Sequence, residues 1–294
     1  MSLEKTYQID KPPEPAMVWE EYQQLILSEW DHLLNGEHSP TEAEVHIYLE
    51  KHPSMLPGAF NLVGDPSGHY PWLCGLISQP ILPAYDYKKP DFMWLSQNSD
   101  TIEPVLIEIE SPNKRWFTKA GVQTAELTQA INQIAEWKTW FGETHNVEAF
   151  KSFYGLAHSR KRFRPSYLII YGRRIEFKDK PNLTGKRSNL FADNIKEMTY
   201  DRLRPNRDMS QLVCMKVMKY NTEYIFKAIS VPATLQWSPG LASDRAFLHN
   251  LDDAINSNDY ISQIRKEFLI QRLPYWNEWS RNQGRGIIHS GDKE

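Results

Sequence analysis

The stretch PDFMWLSQNSDTIEPVLIEIESPNKRWF, residues 90–117, combines an apolar run, a polar turn and an alternating run. FMWL predicts a short strand, and SQNSD predicts the turn that follows it. In the second run, Val105, Ile107 and Ile109 alternate with Leu106, Glu108 and Glu110, which is the two-residue period of a β-strand. Ser111-Pro112 ends this strand. The stretch therefore predicts a β-hairpin with acidic residues at one end.

The acids of this hairpin have two interpretations. Glutamates that alternate with isoleucines most often mark the solvent-exposed face of a half-buried strand, and Pro-Asp is common in turns. Alternatively, Asp91 and Glu108, seventeen residues apart, meet across the hairpin and hold Mg²⁺. That ion prefers oxygen ligands and keeps several water molecules, which leaves room for a phosphodiester substrate. Spacing alone favours the exposed face.

The sequence on both sides of the hairpin alternates between helical and strand patterns. Helical spacing occurs in residues 16–36, 41–53 and 124–143. Strand patterns occur in residues 79–95, which offer short strands up to the hairpin, and in residues 166–174 and 223–231. Thr41 and Glu44 form a capping-box pattern at the start of the second helix. In the third, Gln133 and Trp137 are four residues apart and share one side, so the amide can face the acids. These elements predict an α/β fold.

Composition limits the cellular compartment and the classes of binding partner that we expect. The chain has 294 residues, a formal charge of −3 and two distant cysteines, Cys74 and Cys214, which suggest neither a disulfide framework nor a zinc site. No long apolar run is present, so we expect a cytoplasmic protein without a membrane partner. Residues 158–187 contain ten Lys or Arg and two acids, which predicts either a solvated basic face or contacts to nucleic-acid phosphates.

Several motifs in order resemble a known family. PDF, IEIESP and AINQIAEW resemble the PD-(D/E)xK nuclease core, including the Q-x-x-x-aromatic helix of its RecB-like members. The longer series TEAEVHIYLEKHP, SYLIIYGR, MTYDRL and FLIQRLPYWNEW resembles the Shedu anti-phage immune protein domain, over roughly residues 40–280. The resemblance implies a mixed central sheet flanked by helices, with helical N- and C-terminal additions. We expect an arm and helix in residues 1–40, a nuclease core in 41–205, and a C-terminal strand and helical extension in 206–294.

The resemblance also implies an activity and a set of site residues. It implies a Mg²⁺-dependent endonuclease of bacterial anti-phage defence, with Mn²⁺ as a substitute, which acts on phage or other double-stranded DNA as a homo-oligomer. Asp91 and Glu108 would bind metal, Glu110 would bind metal or activate water, and Gln133 would position the water or the phosphate. Glu44 is either a further metal ligand or only a capping-box carboxylate.

One position departs from the nuclease motif. The motif ends in lysine, whereas this chain has Glu110 there, which makes the site more negative and should increase its dependence on divalent metal. Lys114 in the following loop is a candidate replacement. Lys138 is a poorer one, because it is turned roughly 140° away from Gln133 around the helix.

The basic residues, and the glutamate in place of the motif lysine, leave alternatives open for DNA contacts and for function. The candidate DNA contacts are Lys114, Arg160, Arg162, Arg173 and Arg174. The rival function is a catalytically silent nucleic-acid-binding or sensor protein with a degenerate site. An enzyme acting on small phosphorylated molecules is less well supported, since GxxxxGK[ST] and GxGxxG loops are absent from the sequence.

Overall fold

The computed structural model describes residues 5–85, 89–191, 194–283 and 292–294. Within these ranges, eight strands form one mixed sheet. The strands are β1 Gly75–Ser78, β2 Phe92–Gln97, β3 Thr101–Ile109, β4 Arg162–Phe163, β5 Ser166–Ile170, β6 Ile195–Met198, β7 Val213–Tyr220 and β8 Glu223–Ser230. Their order across the sheet is β6-β5-β3-β2-β1-β7-β8, and β4 pairs with the start of β3. The predicted α/β fold with a mixed sheet is thus confirmed.

The hairpin of residues 90–117 forms the middle of this sheet. Strands β2 and β3 are antiparallel and in register from Phe92 opposite Ile107 to Gln97 opposite Ile102. The next neighbour of β3 is β5, which runs parallel to it. Because β3 is central and both of its faces are covered, Leu106 and Glu108 are fully buried like Ile107. The interpretation of Glu108 as a residue of a solvent-exposed face is therefore wrong.

Helices flank the sheet. They are α1 Trp19–Asn35, α2 Glu42–Lys51, α3 Ala125–Gly142, α4 Thr144–Phe153, α5 Pro181–Ser188, α6 Pro239–Arg245, α7 Leu251–Asn256 and α8 Gln263–Gln283. Helix α2 begins with the predicted capping box, in which Thr41 Oγ1 accepts from Glu44 N at 3.2 Å and the Glu44 carboxylate accepts from Thr41 N at 2.8 Å. In the parts of the chain that the structure describes, no helix is long and apolar enough to cross a membrane.

Two strands differ from the sequence prediction. The strand before the hairpin lies at Gly75–Ser78, upstream of the predicted run that begins at Gln79. Residues 86–88 of that run lie outside the described residues. Strand β7 was not predicted at all, and it pairs in parallel with β1 and forms a hairpin with β8. The sheet therefore continues into the C-terminal third of the chain.

Residues at the two ends of the described chain pack on α8. Arg272 donates to Gln8 O at 2.8 Å and lies 3.3 Å from Asp10 Oδ2. Arg265, almost completely buried, donates to Glu294 Oε1 at 2.5 Å. The segment before α1 is therefore held against the C-terminal helix by charge-assisted hydrogen bonds.

Candidate functional site

Asp91 and Glu108 lie at the same end of the hairpin. Asp91 directly precedes β2, whose first residue Phe92 pairs with Ile107, and Glu108 follows Ile107 on β3. Asp91 N donates to Ile107 O at 3.1 Å, and Asp91 Oδ2 accepts from Ile109 N at 2.8 Å. The ladder of the two strands thus fixes the Asp91 carboxylate beside the end of β3.

Gln133 reaches Glu108 from the helix packed over the sheet. It lies in the middle of α3, is buried, and its Nε2 donates to Glu108 Oε2 at 2.8 Å. Trp137, one turn further on, is fully buried on the same side of the helix. The four-residue spacing in the sequence therefore corresponds to a side of α3 that faces the acids.

Glu110 follows the end of β3 and contacts the lysine of the next loop. Its side chain is buried, and Lys114 Nζ donates to its carboxylate. The backbone of Glu110 is held on both sides, because its N donates to Ile170 O at 3.1 Å and its O accepts from Tyr200 Oη at 2.5 Å. Lys138, by contrast, donates to Asn194 Oδ1 at 3.2 Å. Of the two candidate lysines, only Lys114 contacts an acid of the site.

The start of α2 brings a different glutamate to the site than the sequence suggested. Glu44 is exposed and engaged in the capping box, and its hydrogen bonds from Thr41 lower its pKa. Glu42 faces Glu110 and Lys114 instead. Burial, followed by a hydrogen bond to the Glu110 carboxyl and the negative charge of Glu110 and Asp91, raises the pKa of Glu42 to about 7. The capping box in the sequence could have indicated this difference. It directs the Glu44 side chain back to Thr41, and Glu42, two residues earlier, points about 200° away from Glu44 around the helix.

Sequence reasoning also missed a second polar cluster, which adjoins Asp91. His46 Nδ1 is 3.7 Å from Asp91 Oδ1, while its Nε2 is 3.2 Å from Glu50 Oε1 and 3.1 Å from Ser78 Oγ. Lys216 Nζ on β7 is 2.8 Å from the same Glu50 oxygen. Burial raises the pKa of Glu50, but the hydrogen bonds from His46, Lys216 and Ser78 together lower it to about 2. Glu50 is thus an ionised carboxylate that ties α2 to the sheet.

The basic segment is divided between the two ends of the sheet. Arg162 pairs with Thr101, the first residue of β3, and lies 3.6 Å from Asp100. Because β3 spans about 27 Å from Thr101 to Ile109, Arg162 and the nearby Arg160 lie far from the acids.

The arginines after β5 lie at the acidic end. Arg173 donates to Asp201 Oδ1, Leu34 O and Asn35 Oδ1 at 2.7–3.0 Å. The side chain of Arg174 is exposed, and its backbone N also bonds to Asp201. Arg173 is therefore engaged in holding the structure together, whereas Arg174 is accessible to a ligand.

A comparison with models of protein families identifies the chain. The model described as "Shedu protein SduA, C-terminal" matches residues 39–203, which is more than half of the sequence. The chain belongs to the Shedu family. Membership of the Shedu family suggests a role in anti-phage defence. A search of curated proteins gives no match.

The Gly-Arg and Thr-Tyr-Asp motifs of this Shedu chain bind each other. Tyr200 N donates to Gly172 O at 3.2 Å, and Arg173 Nη2 lies 2.9 Å from Asp201 Oδ1. Gly172 has a φ of 58°, and a Cβ there would lie 2.7 Å from Lys114 O. Glycine therefore allows the loop that carries Lys114 to pack against the end of β5. The two motifs build the scaffold of the acidic end of the sheet.

The donor chemistry of the acids fits a hard cation, although the side chains do not form a closed cage. Carboxylate oxygens are the ligands that Mg²⁺ prefers, and one or two carboxylates with several waters are a common arrangement for it. Among the residues that the structure describes, no three His, Cys, Asp or Glu side chains form a group that could hold a metal ion. The chemistry of this site in the Shedu protein is therefore compatible with two carboxylates, those of Asp91 and Glu108, as the protein ligands.

Proposed function

We propose that this protein is a Mg²⁺-dependent DNA endonuclease that hydrolyses phosphodiester bonds in anti-phage defence. The observation that carries the proposal is that Asp91 and Glu108 lie at the same end of the central hairpin, with Gln133 hydrogen-bonded to fully buried Glu108. Burying a carboxylate at the centre of a sheet is costly, and such groups are usually paired or coordinate metals. Membership of the Shedu family supports the same assignment.

Each residue of the site has a role in this hypothesis. Asp91 and Glu108 hold the cation, and Mn²⁺ can substitute for Mg²⁺ because it accepts the same oxygen ligands. When bound, the metal supplies charge neutralisation at the scissile phosphate and an acidified water. The hydrogen bond from Gln133 Nε2 keeps the Glu108 carboxylate oriented, and the Ile109 N–H does the same for Asp91. The protein contribution is thus a fixed position for both carboxylates.

Glu110 and Lys114 together replace the lysine of the usual motif. Lys114 Nζ binds the Glu110 carboxylate and lies 3.9 Å from Glu42 Oε2. In this arrangement Lys114 supplies the positive charge, and Glu110 either joins the metal ligands or accepts a proton from the attacking water. Glu42 is the fourth acid at this end of the sheet, and we propose it, rather than Glu44, as the contribution of α2.

The proposed substrate is double-stranded DNA, including phage DNA, bound across the acidic end of the sheet. Arg174 is our preferred phosphate contact of the basic segment, because its side chain is exposed near this end. Arg173 supports Arg174 because both bond to Asp201. Arg160 and Arg162 could contact only DNA that extends to the opposite end of the sheet. We also propose that the protein works as a homo-oligomer in the cytoplasm.

The experiment is a plasmid-nicking assay with purified protein and Mg²⁺ or Mn²⁺. The wild type should cut, whereas Asp91→Ala and the isosteric Glu108→Gln should lose more activity than the roughly 10–100-fold that loss of a residue supporting a metal ligand typically costs. Asp100→Ala is the matched control, because Asp100 is an exposed acid in the turn at the other end of the same hairpin. Equal cutting by the wild type and both site variants would contradict the proposal.

A silent DNA-binding or sensor protein is the second candidate, and one observation favours it. Lys114 already neutralises Glu110, and the described residues contain no closed group of three metal ligands. In that case calorimetry would detect no Mg²⁺ or Mn²⁺ binding that depends on Asp91, while DNA would still bind in a salt-dependent way. Metal binding that Asp91→Ala abolishes would exclude this candidate.

A further inference from the structure

A cavity of about 900 Å³ lies beside the acidic end of the sheet, and neither Asp91 nor Glu108 lines it. Its walls come from the turn after β5, from α5 and from the turn after β6. Thr199 and Asp201 line it, while Tyr200 between them points away and donates to Glu110 O. Its volume is that of sites that enclose a small organic ligand.

The lining of this cavity is strongly positive. Five cations and one acid line it: Arg173, Arg174, Lys178, Arg187 and Arg202, with Asp201. Asp201 is paired with Arg173. Within residues 5–85, 89–191, 194–283 and 292–294, no carboxylate forms an ion pair with the side chains of Arg174, Lys178 or Arg202. Three cations therefore face one cavity without an anion among the described residues to balance them.

Two further groups on the wall have unused hydrogen-bonding capacity. Thr199 is fully buried, and its hydroxyl has no hydrogen-bond partner in the described part of the chain. Arg187 packs its guanidinium 4.7 Å from the ring centroid of Phe177, and its Nε makes no hydrogen bond there although Glu197 lies 3.4 Å away. Buried polar groups are normally satisfied, so such groups at a cavity wall indicate a bound ligand or water.

Two apolar residues also line the cavity. Ile175 is 70% exposed, which is unusual for a large aliphatic side chain that lies among cations. The second, Phe177, is buried, and its ring centroid lies 4.7 Å from the guanidinium of Arg187. Planar nucleic-acid bases pack on aliphatic, aromatic and guanidinium surfaces of this kind. The cavity thus offers an anion site and a flat apolar surface next to each other.

We propose that this cavity binds a free nucleoside monophosphate, with the phosphate between Lys178, Arg187 and Arg202 and the base against Ile175. A phosphate monoester carries close to two negative charges, and arginine side chains bind its oxygens with charge-assisted hydrogen bonds. The unsatisfied Thr199 hydroxyl adds one donor or acceptor at the wall. This inference does not depend on nuclease activity, because it rests on the lining of the cavity alone.

Calorimetry on the full-length protein tests the proposal with four kinds of probe. AMP, GMP, CMP and UMP are titrated separately, followed by adenosine, inorganic phosphate and a short DNA duplex. We expect at least one monophosphate to bind, with adenosine and inorganic phosphate each at least about ten-fold weaker. Arg202→Ala and Lys178→Ala should each weaken binding about ten-fold, as expected for loss of a hydrogen bond to a charged group.

Arg202 and Lys178 are both exposed, so Arg202→Ala and Lys178→Ala should fold normally, which melting curves would verify. Arg160→Ala is the control, since it removes the same charge at the other end of the sheet, and it should leave the affinity within two-fold. Binding that the two variants do not change would overturn the proposal. So would failure of all four monophosphates to bind, equal affinity for inorganic phosphate, or a loss in the variants that is confined to the DNA duplex.

Discussion

Replacing Lys216 by methionine should destabilise the protein through the Glu50 cluster. Glu50 Oε1 is 2.8 Å from Lys216 Nζ, 2.5 Å from Ser78 Oγ and 3.2 Å from His46 Nε2. The Glu50 side chain is only 15% exposed, so water can replace the lysine only in part. The substitution leaves a buried carboxylate with two hydrogen-bond donors and no permanent cation. Because His46 also lies beside Asp91, the same cluster supports the position of a site residue.

The pKa of Glu50 sets the scale of this effect. Its value falls from the ordinary 4.5 to about 2 in the folded protein. A depressed carboxyl pKa stabilises the fold above the unfolded pKa, and this contribution is lost as the pH falls from about 4.5 towards 2. The shift corresponds to about 3 kcal/mol at pH 7 for all partners together. Lys216 supplies both a hydrogen bond and charge, so Lys216→Met should cost about 1.5–3 kcal/mol.

Urea unfolding at pH 7 measures the cost, and two comparisons isolate its cause. Lys219→Met is the matched control, because Lys219 is an exposed lysine on the same strand, and it should change the free energy of unfolding by less than about 0.5 kcal/mol. In a Glu50→Gln background, the cost of Lys216→Met should fall by more than half. Equal costs for the two lysine variants, or a cost that Glu50→Gln leaves unchanged, would show that Lys216 does not stabilise the fold through Glu50.

Three further predictions concern α2, a buried histidine and a glycine. Glu42→Ala should slow DNA cleavage at least ten-fold and Glu44→Ala less than two-fold, because only Glu42 faces the acids; similar losses in both would contradict this. Burial lowers the pKa of His52 from 6.5 to about 3, so the unfolded chain takes up a proton first as the pH falls. His52 should therefore make folding about 2 kcal/mol less favourable at pH 5 than at pH 7, while Glu42 acts in the opposite direction. Urea unfolding isolates the histidine because the stability difference between the wild type and His52→Asn should change by that amount between the two pH values; a constant difference would contradict it. Gly172→Ala should cost about 1–3 kcal/mol, measured in the same way, because the new Cβ meets Lys114 O; a neutral effect would count against that contact.

The hairpin could be predicted because its signals are local. Alternation in residues 105–110 and the polar turn before it determine two adjacent strands whatever the rest of the chain does. The burial of Glu108 could not be predicted in the same way, since it depends on β5 and on Gln133 of α3, which are distant in sequence. The resemblance to a family supplied that long-range information, and the alternating pattern alone favoured the wrong face.

The basic segment shows a different limit. Ten cations in residues 158–187 look like one surface in the sequence, but β4 and β5 run parallel to β3 and carry the chain along its length. Arg162 and Arg174 therefore lie at opposite ends of the sheet. Composition detects the charge, whereas only the strand pairing determines which cations share a surface with the acids.

Strand β7 and the Glu50 cluster were missed for a related reason. The pattern of residues 213–220 mixes Val and Met with lysines, and its pairing partner β1 lies more than 130 residues earlier. Lys216 becomes informative only when that parallel pairing brings it to Ser78 and Glu50. Contacts between distant segments of this kind carry no local signal.

Anomalous scattering of Mn²⁺ in crystals of the wild-type protein tests the metal site directly. We expect one peak between the carboxylates of Asp91 and Glu108, within reach of Glu110, and loss of that peak in Asp91→Ala crystals soaked identically. Absence of a peak at these acids at saturating Mn²⁺, or a peak that persists unchanged in Asp91→Ala, would contradict the assignment of this end of the hairpin as a metal-dependent nuclease site.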